Sequence, residues 1–498
     1  MAGEAQATSF RVVIVPQVEL RGNDRHAAVG LLVPGAGPET SRASALAALV
    51  RGEVRNSLRG GLPEGPPLIG IAHRADRRPT IYVALPSGGP QANDRRYYIA
   101  VVGNGFRGIL TSDSTRIPGL VSIADIAPTA LGREDGLSWE RREDPAAYLA
   151  ALDQQIDEHN DVRVPATLLI VAVVLALAFL LPRAALTGLP AALAANLALG
   201  LAGTTSMWAV LLVLTGSTAI GGLVLARLAR SHEALAFLCA GVMAAYLLVL
   251  AFDGPAVALS PFGPTQNARF YGLSNLLETM LLVPALAGAA AAGLRFGPPG
   301  FAAVALLSLV AVAGNRFGAD GGGAVVLLVG FVVLAVLLSR RALWPVLLGG
   351  LAAVGLLLGF DLATGGESHV TRALKDGPGG LAGDLADRIT LSFERATDRW
   401  YLGLLIALGI LLLATLSIRT LRAGGGPVAL AFAAAIATSL VVNDSPNDVV
   451  LLGITGFLAV ERGMLPARCA GRFSSPLRLP WSWPAAAARR PSSPSPRK

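Results

Sequence analysis

Polar residues able to do chemistry gather in three short stretches of an otherwise apolar chain. The first, SPFGPTQNARFYGLSNLLE, holds Asn267, Arg269, Tyr271, Asn275 and Glu278. The second, GNRFGADGGG, holds Asn315, Arg316 and Asp320; the third, VVNDSPNDVV, holds Asn443, Asp444, Ser445, Asn447 and Asp448. The guanidinium groups of Arg269 and Arg316 are planar forks suited to phosphate or carboxylate. Asp320, Asp444 and Glu278 are the candidate catalytic carboxylates, able to act as base, to balance the arginines, or to hold a hard divalent cation such as Mg²⁺. Asn267, Arg269, Tyr271, Asn275, Asn315, Arg316, Asn443 and Asp448 form the candidate substrate-binding set. Gly321 to Gly323 expose backbone amides at the start of a helix, where the dipole favours an anion. The same residues would also serve as structural ion pairs, Arg269 with Glu278 and Arg316 with Asp320, with the asparagines capping helix ends. None of these patterns specifies a reaction or a cofactor.

Hydropathy sets the elements that must position these stretches. Of the 498 residues 53% are hydrophobic and 15% charged, with mean hydropathy +0.57, whereas a soluble chain is about a quarter charged. Apolar runs of about 16–22 residues, long enough to span a bilayer, recur from Pro165 to Val460. They predict membrane helices near 165–182, 187–203, 207–227, 233–252, 274–294, 300–314, 323–339, 343–361, 400–418, 427–442 and 448–461, about eleven in all. Residues 1–163 have short apolar runs broken by Gly, Pro and charge, and read as a soluble α/β domain. Its expected strands are Phe10 to Val18, Ala27 to Val33, Pro67 to Ala72, Ile81 to Leu85 and Tyr97 to Val102. Its expected helices are Ser41 to Arg51, opened by Thr40 or Ser41 as N-cap, and Pro145 to Ile156. The fold class is thus an α-helical polytopic membrane protein (164–463) with an N-terminal soluble α/β domain (1–163) and a Pro-, Ser- and Arg-rich tail (464–498) expected to be disordered.

The net charge of +8 does not point to nucleic acid. Residues 1–163 hold 18 Lys+Arg against 19 Asp+Glu, residues 164–461 hold 15 against 14, and residues 462–498 hold 8 against none. The excess lies in the tail and reports topology. Working back from it, alternate short loops carry Arg419 and Arg422, Arg340 and Arg341, Arg295, Arg227 and Arg230, and Arg183. Those are the expected cytoplasmic loops, which sends the three polar stretches and the soluble domain to the outer face of a bacterial plasma membrane. Met1 to Ser9 lacks a basic-then-apolar leader, so this orientation requires either export of a long N-tail or a signal anchor upstream; the latter is the expectation. Cys239 and Cys469 cannot build a disulfide framework, and no Cys/His cluster suggests a metal site.

The long outer segment 362–399 carries Glu367, His369, Arg372 and Lys375, then Leu381, Leu385, Ile389, Phe393, Ala396 and Trp400 at steps of three and four. That spacing predicts an amphipathic helix lying on the membrane or under the soluble domain.

Two segments of the outer domain resemble the alkaline-phosphatase superfamily of sulfatases, type I phosphodiesterases and phosphoethanolamine transferases. GPETSRASALAALVRG, residues 37–52, looks like the nucleophile turn, a Thr or Ser opening a helix that ends in Gly. TSDSTRIPGLVSIADIAPTAL, residues 111–131, is similar to a late segment that closes the domain. The resemblance implies Thr40 or Ser41 at the nucleophile position. The opening strand VVIVPQVE lacks the metal-binding Asp and no Asp-His-Gly follows, so it implies a shrunken relative without metal-dependent hydrolysis. It further implies work on an anionic membrane lipid, a phospholipid or a polyprenyl-linked glycan, by an enzyme of the transferase type. Two other classes fit the same residues: a transporter or flippase for an anionic lipid-linked substrate, and a non-catalytic envelope scaffold.

Overall fold

In a computed structural model the described residues are 10–17, 26–55, 62–63, 65–74, 79–103, 105–266, 270–314, 316–318, 321–338, 348–352, 355–356 and 377–464. The N-terminal part folds around a mixed sheet of β1 (Arg11–Val15), β2 (Ala27–Val33), β4 (Thr80–Ala84), β6 (Tyr97–Val102), β7 (Gly108–Thr111), β8 (Leu120–Ser122) and β9 (Ser138–Glu140), with β3 (Glu39–Thr40) and β5 (Gln91–Ala92) pairing separately. The spatial order is β1-β4-β6-β2-β7-β9, with β8 also on β2. The expected Pro67–Ala72 strand contributes only one bridge, Val13 to Ala72. Pro66, Pro67 and Gly70 deny it a continuous ladder, since proline lacks the N–H that a strand needs.

The two faces of the sheet are covered differently. Val12, Leu32, Ile81, Ile99 and Val101 pack against Ala45, Ala48 and Leu49 of the Arg42–Arg51 helix. On the other face Leu31, Val33, Ile109 and Leu120 meet Leu149, Leu152 and Ile156, together with Ala258 and Phe270 from the apolar half of the chain. Those three helix residues belong to Pro145–Leu180, a single helix of 36 residues. At 1.5 Å per residue it is about 54 Å long, enough to lie under the sheet and then continue through the bundle. The helices expected at 145–156 and 165–182 are therefore one, and position 163/164 falls inside it. The acidic stretch DQQIDEHNDVR hid that continuity, because it has the composition of a linker.

Seven helices among the described residues are long and apolar enough to cross a membrane: Pro145–Leu180, Pro182–Ala202, Met207–Leu228, His232–Phe252, Asn275–Phe296, Gly321–Leu338 and Trp400–Arg422. Pro298–Ala313 and Pro427–Val442 are apolar with 16 residues each, about 24 Å against a hydrocarbon core of about 30 Å. Pro446–Met464 is helical but carries Asp448, Glu461 and Arg462. Of the run expected at 343–361, residues 348–352 and 355–356 are helical and the others lie outside the described residues. Asn275–Phe296 is the central helix, wholly enclosed by its neighbours over its apolar window.

Successive helices run to and fro, which gives the bundle two unlike ends. At one end Arg183 donates from Nη2 to the Ala229 carbonyl (2.5 Å) and from Nη1 to the Gly463 carbonyl (3.2 Å), and Arg295 pairs with Glu233 at 2.9 Å. The other end lies under the sheet domain. Residues 465–498, which include the expected disordered tail apart from Met464, lie outside the described residues.

Candidate functional site

The end beneath the sheet is built from a backbone that neither a helix nor lipid could satisfy alone. Among the described residues between Phe252 and Asn275 the chain makes one short helix, Gly254–Ala258, and otherwise turns irregularly. Its carbonyls find partners on other elements, as any backbone near lipid must. The two ring nitrogens of the buried His159 lie 2.5 Å from the Leu259 carbonyl and 2.6 Å from the Thr204 carbonyl. Arg163 donates to the Gly263 carbonyl, and the Ser274 hydroxyl donates to that of Phe262 at 2.6 Å. Leu273 N–H donates to the Gly318 carbonyl at 3.0 Å, joining the first polar stretch to the second.

The first and third stretches meet through side chains. Asn275 donates from Nδ2 to Asp444 Oδ1 (2.9 Å) and Ser445 Oγ (3.2 Å). Asn443 donates from Nδ2 to Glu278 Oε2 (3.0 Å) and to Ser439 Oγ (2.8 Å); Glu278 and Asn443 are 1% and 2% exposed. Glu278 sits in the first turn of its helix, where a negative charge is favoured by the dipole. It also lies against the opening turn of Gly321–Leu338: a Cβ on Gly323 would stand 3.0 Å from Glu278 Cδ. Asp444 has both oxygens engaged, because Arg395 Nη1 pairs with Oδ2 at 2.8 Å and also donates to the Asp444 carbonyl at 3.0 Å. Asp448 and Arg163 are both half-buried and interact electrostatically.

Tyr271 and Arg316 face a separate cavity of about 190 Å³. Its walls also include Arg116, from the loop between β7 and β8, and Leu250, Pro255, Phe270 and Phe317. The Arg116 guanidinium lies 4.1 Å over the Tyr271 ring, a cation–π contact. Asn267, Arg269, Asn315 and Asp320 lie outside the described residues. Among the described residues no group of three or more His, Cys, Asp or Glu side chains is arranged to hold a metal ion.

Three residues that position this end were not singled out by the sequence. Arg116 holds a left-handed backbone, φ 55°, unusual for a side chain of this type. The loop that imposes it is fixed by the buried Asp125, whose Oδ2 accepts from Ser112 Oγ (2.6 Å), Ser114 Oγ (2.7 Å) and the Ser122 N–H (2.8 Å). Burial raises the Asp125 pKa above the usual carboxylate value, and the two serine hydroxyls and the amide oppose that rise. The Arg96 side chain is 1% exposed and pairs with Asp153 at 2.5 Å and with Asp157. Its Nη1 donates to Gln266 Oε1 (3.2 Å), and Gln266 donates to Asn93 Oδ1 at 2.8 Å. Arg395 comes from the helix Gly377–Thr397, the described part of the expected amphipathic segment. Of its stripe residues, Ile389 is 44% and Phe393 69% exposed, while Leu391 and Ser392 beside them are buried.

In the segment that resembles a nucleophile turn, Ser41 is the N-cap, its Oγ accepting from Ser44 N–H at 3.1 Å in a capping box. Thr40 is 3% exposed and its Oγ1 makes no hydrogen bond among the described residues. Set against models of known protein families, curated proteins and solved structures, the chain matches none of them.

Proposed function

We propose that this chain is a multi-pass protein of a bacterial plasma membrane that handles a phosphate-bearing envelope lipid or lipid-linked glycan at the outer face, as a transferase. The sheet domain and the three polar stretches would face outward, and the ends carrying Arg183, Arg227, Arg295, Arg419 and Arg422 the cytoplasm, in keeping with the positive-inside rule. About eleven spans fit this reading if the two 16-residue helices cross a locally thinned or protein-lined path. One observation supports it above the others. Three polar stretches separated by up to 170 residues in sequence come together by hydrogen bonds at one end of the bundle. Buried ionisable groups in a membrane are costly and are kept for a task, and Glu278 is such a group.

In this reading Glu278, held by Asn443, is the base, and the Asp444–Arg395 pair orders the rim. The test is lipid and lipid-linked glycan profiling of a deletion strain carrying wild-type, Glu278→Gln or Asn443→Ala chains at matched membrane abundance. The reading expects an accumulated phosphate-bearing precursor in the deletion and in Glu278→Gln. A profile restored by Glu278→Gln removes the proposed base. A flippase draws on a different feature: Met207–Leu228 turns π-helical at Ser217–Gly221 around the buried Thr218, and such turns gather at functional sites. Precursor trapped on the inner leaflet, rather than unmodified on the outer, would favour that alternative.

A further inference from the structure

We propose that the helix Gly377–Thr397 is a membrane-surface element: Ile389 and Phe393 sit among lipid at the head-group boundary, and Arg395 on its inner side makes that lipid seat a positioning device for Asp444. The proposal rests on the multi-pass part of the reading above and is independent of the transferase chemistry.

The C-terminal half of this helix divides into three faces. Leu391, Arg395, Ser392 and Ala396, in that order round the axis, are buried or half-buried. Next to Ala396 come Ile389, Phe393 and Ala386, which are apolar and exposed. Thr397, Thr390 and Glu394 follow, polar and exposed. The turn of 3.6 residues sets these groups side by side. A helix packed on protein in water needs two faces, one buried and one polar. An exposed apolar face lying between them suits a helix placed where protein, hydrocarbon and water meet.

The neighbouring span indicates what covers that face. The helix packs on Trp400–Arg422, Pro427–Val442 and Pro446–Met464, so its seat is the flank of the bundle. Only Asp398 and Arg399 separate it from Trp400–Arg422. The buried residues of that span, Ile406, Gly409, Leu413 and Thr420, form one stripe. Leu404, Leu405, Leu408 and Leu411 are 51% to 63% exposed, and in a span that surface meets hydrocarbon. The two helices join at a tight corner, where a Cβ on Gly403 would stand 3.0 Å from the Ala396 carbonyl. Trp400 and Tyr401 mark the level of the head groups, where such aromatics gather; the Tyr401 hydroxyl accepts from Arg399 Nη1 at 2.9 Å. Phe393 is one turn before the corner and 69% exposed. The lipid-facing surface of the span therefore continues onto Phe393 and Ile389.

The inner face carries the consequence. Arg395 pairs with Asp444 Oδ2 at 2.8 Å and donates to the Asp444 carbonyl at 3.0 Å. Asp444 Oδ1 accepts from Asn275, the first residue of the central helix and one turn from Glu278. Lipid that seats Phe393 thus holds Arg395, two positions on, and Arg395 holds the carboxylate that meets Asn275.

The experiment places p-benzoylphenylalanine, a photoreactive aromatic, at position 390, 393 or 408 of the purified full chain in phosphatidylcholine–phosphatidylglycerol nanodiscs and reads the adducts by mass spectrometry. Lipid adducts are expected at 393 and 408 and at background level at 390. Lipid at 408, with position 393 joined to another segment of this chain, to a second copy or to nothing, overturns the proposal, as does equal lipid at 390 and 393. No lipid at 408 removes the multi-pass reading itself. The link to Asp444 is read by hydrogen exchange at the Asn443 and Val449 amides, which donate to the Ser439 and Ser445 carbonyls. Phe393→Asp should speed that exchange by about tenfold or more, the scale of one large apolar side chain moved from lipid to water. Thr390→Asp, the same charge on the water-facing side, should leave it unchanged. Arg395→Ala should speed it as Phe393→Asp does, and the double variant should be no faster than Arg395→Ala alone, because both act through one contact. Unchanged exchange in Phe393→Asp, or additive effects in the double variant, overturns the positioning role of the lipid seat.

Discussion

Asp125→Ala should loosen the loop that presents Arg116, and the size of the effect can be worked from its contacts. One carboxylate oxygen of a residue 7% exposed accepts three hydrogen bonds. After its removal the Ser112 and Ser114 hydroxyls, 2.8 Å apart, can still bond each other, but the Ser122 N–H loses its partner. An orphaned buried donor costs about 1–3 kcal/mol, and the lost charge-assisted bonds bring the total to about 3 kcal/mol. That corresponds to about a hundredfold more frequent local opening, since about 1.4 kcal/mol is tenfold. Hydrogen exchange on the full chain should report it at Arg116 and Gly119, whose N–H groups donate to Ser112 and Leu110 carbonyls, while the β4 and β6 amides stay protected. Asp125→Asn keeps the acceptor and its shape, and should change protection by less than about 1 kcal/mol because relief of desolvation offsets weaker bonds.

The same residue gives a sign for pH. Burial puts the folded pKa of Asp125 above its ordinary 3.8, so the folded loop binds the proton more tightly than the unfolded one. Its contribution is complete below 3.8 and is lost as pH rises through the folded value. Acidification into that interval should therefore slow loop opening in wild type, after correction for intrinsic exchange, and have no such effect in Asp125→Asn. Unchanged exchange in Asp125→Ala, or acid-induced opening in wild type but not in the Asn variant, would refute the reasoning.

Two further outcomes follow from contacts at the same end. A double-mutant cycle of Arg395→Ala and Asp444→Ala, read by thermal unfolding of the full chain, should give a coupling of about 1–3 kcal/mol. The pair is only 17% and 18% exposed, so it exceeds the ~0.2–1 kcal/mol of exposed pairs; a coupling in that lower range denies it an ordering role. Gly323→Ala should destabilise by about 1–3 kcal/mol through overpacking, since its Cβ would meet Val312 Cγ1 at 2.6 Å and Glu278 Cδ at 3.0 Å. Gly241→Ala, which meets nothing within 4 Å, is the neutral control, and equal melting temperatures for the two variants would contradict the packing.

What the sequence made legible was decided by hydropathy. Pro427–Val442 begins and ends where its apolar run does, and Met207–Leu228, His232–Phe252 and Asn275–Phe296 lie within about two residues of theirs. An apolar run has one way to hide its backbone in lipid, so composition fixes the element. β7, β8 and β9, of 4, 3 and 3 residues, were not legible because strands so short show no alternation. The polar stretches were visible as polar, and their gathering at one end followed from counting helices. Their partners were not visible. Arg395 was masked by the apolar stripe of its own helix, and Arg116 and Arg96 lay in a domain read as separate. Contacts such as Gln266 to Asn93, 173 positions apart, leave no periodic trace.

Those cross-domain contacts explain why the sheet domain cannot be a detachable appendage. Phe270 and Ala258 share a core with Leu31, Val33 and Ile109, so removing the sheet would uncover apolar surface at the polar end of the bundle. It would also remove the Asn93 and Arg95 acceptors of Gln266, whereas His159, Arg163, Asn196 and Gly318 would still hold other parts of the described 253–273 backbone. An irregular segment at membrane depth survives only where protein satisfies its carbonyls. The same enclosure brings Arg116 to Tyr271, so the step that lets this backbone leave the helical form also assembles the cavity. Of the conspicuous polar residues, Tyr271 and Arg316 thus stand at a junction between two domains, where Arg116 joins them, while Asn275, Glu278, Asn443 and Asp444 tie the bundle helices to one another.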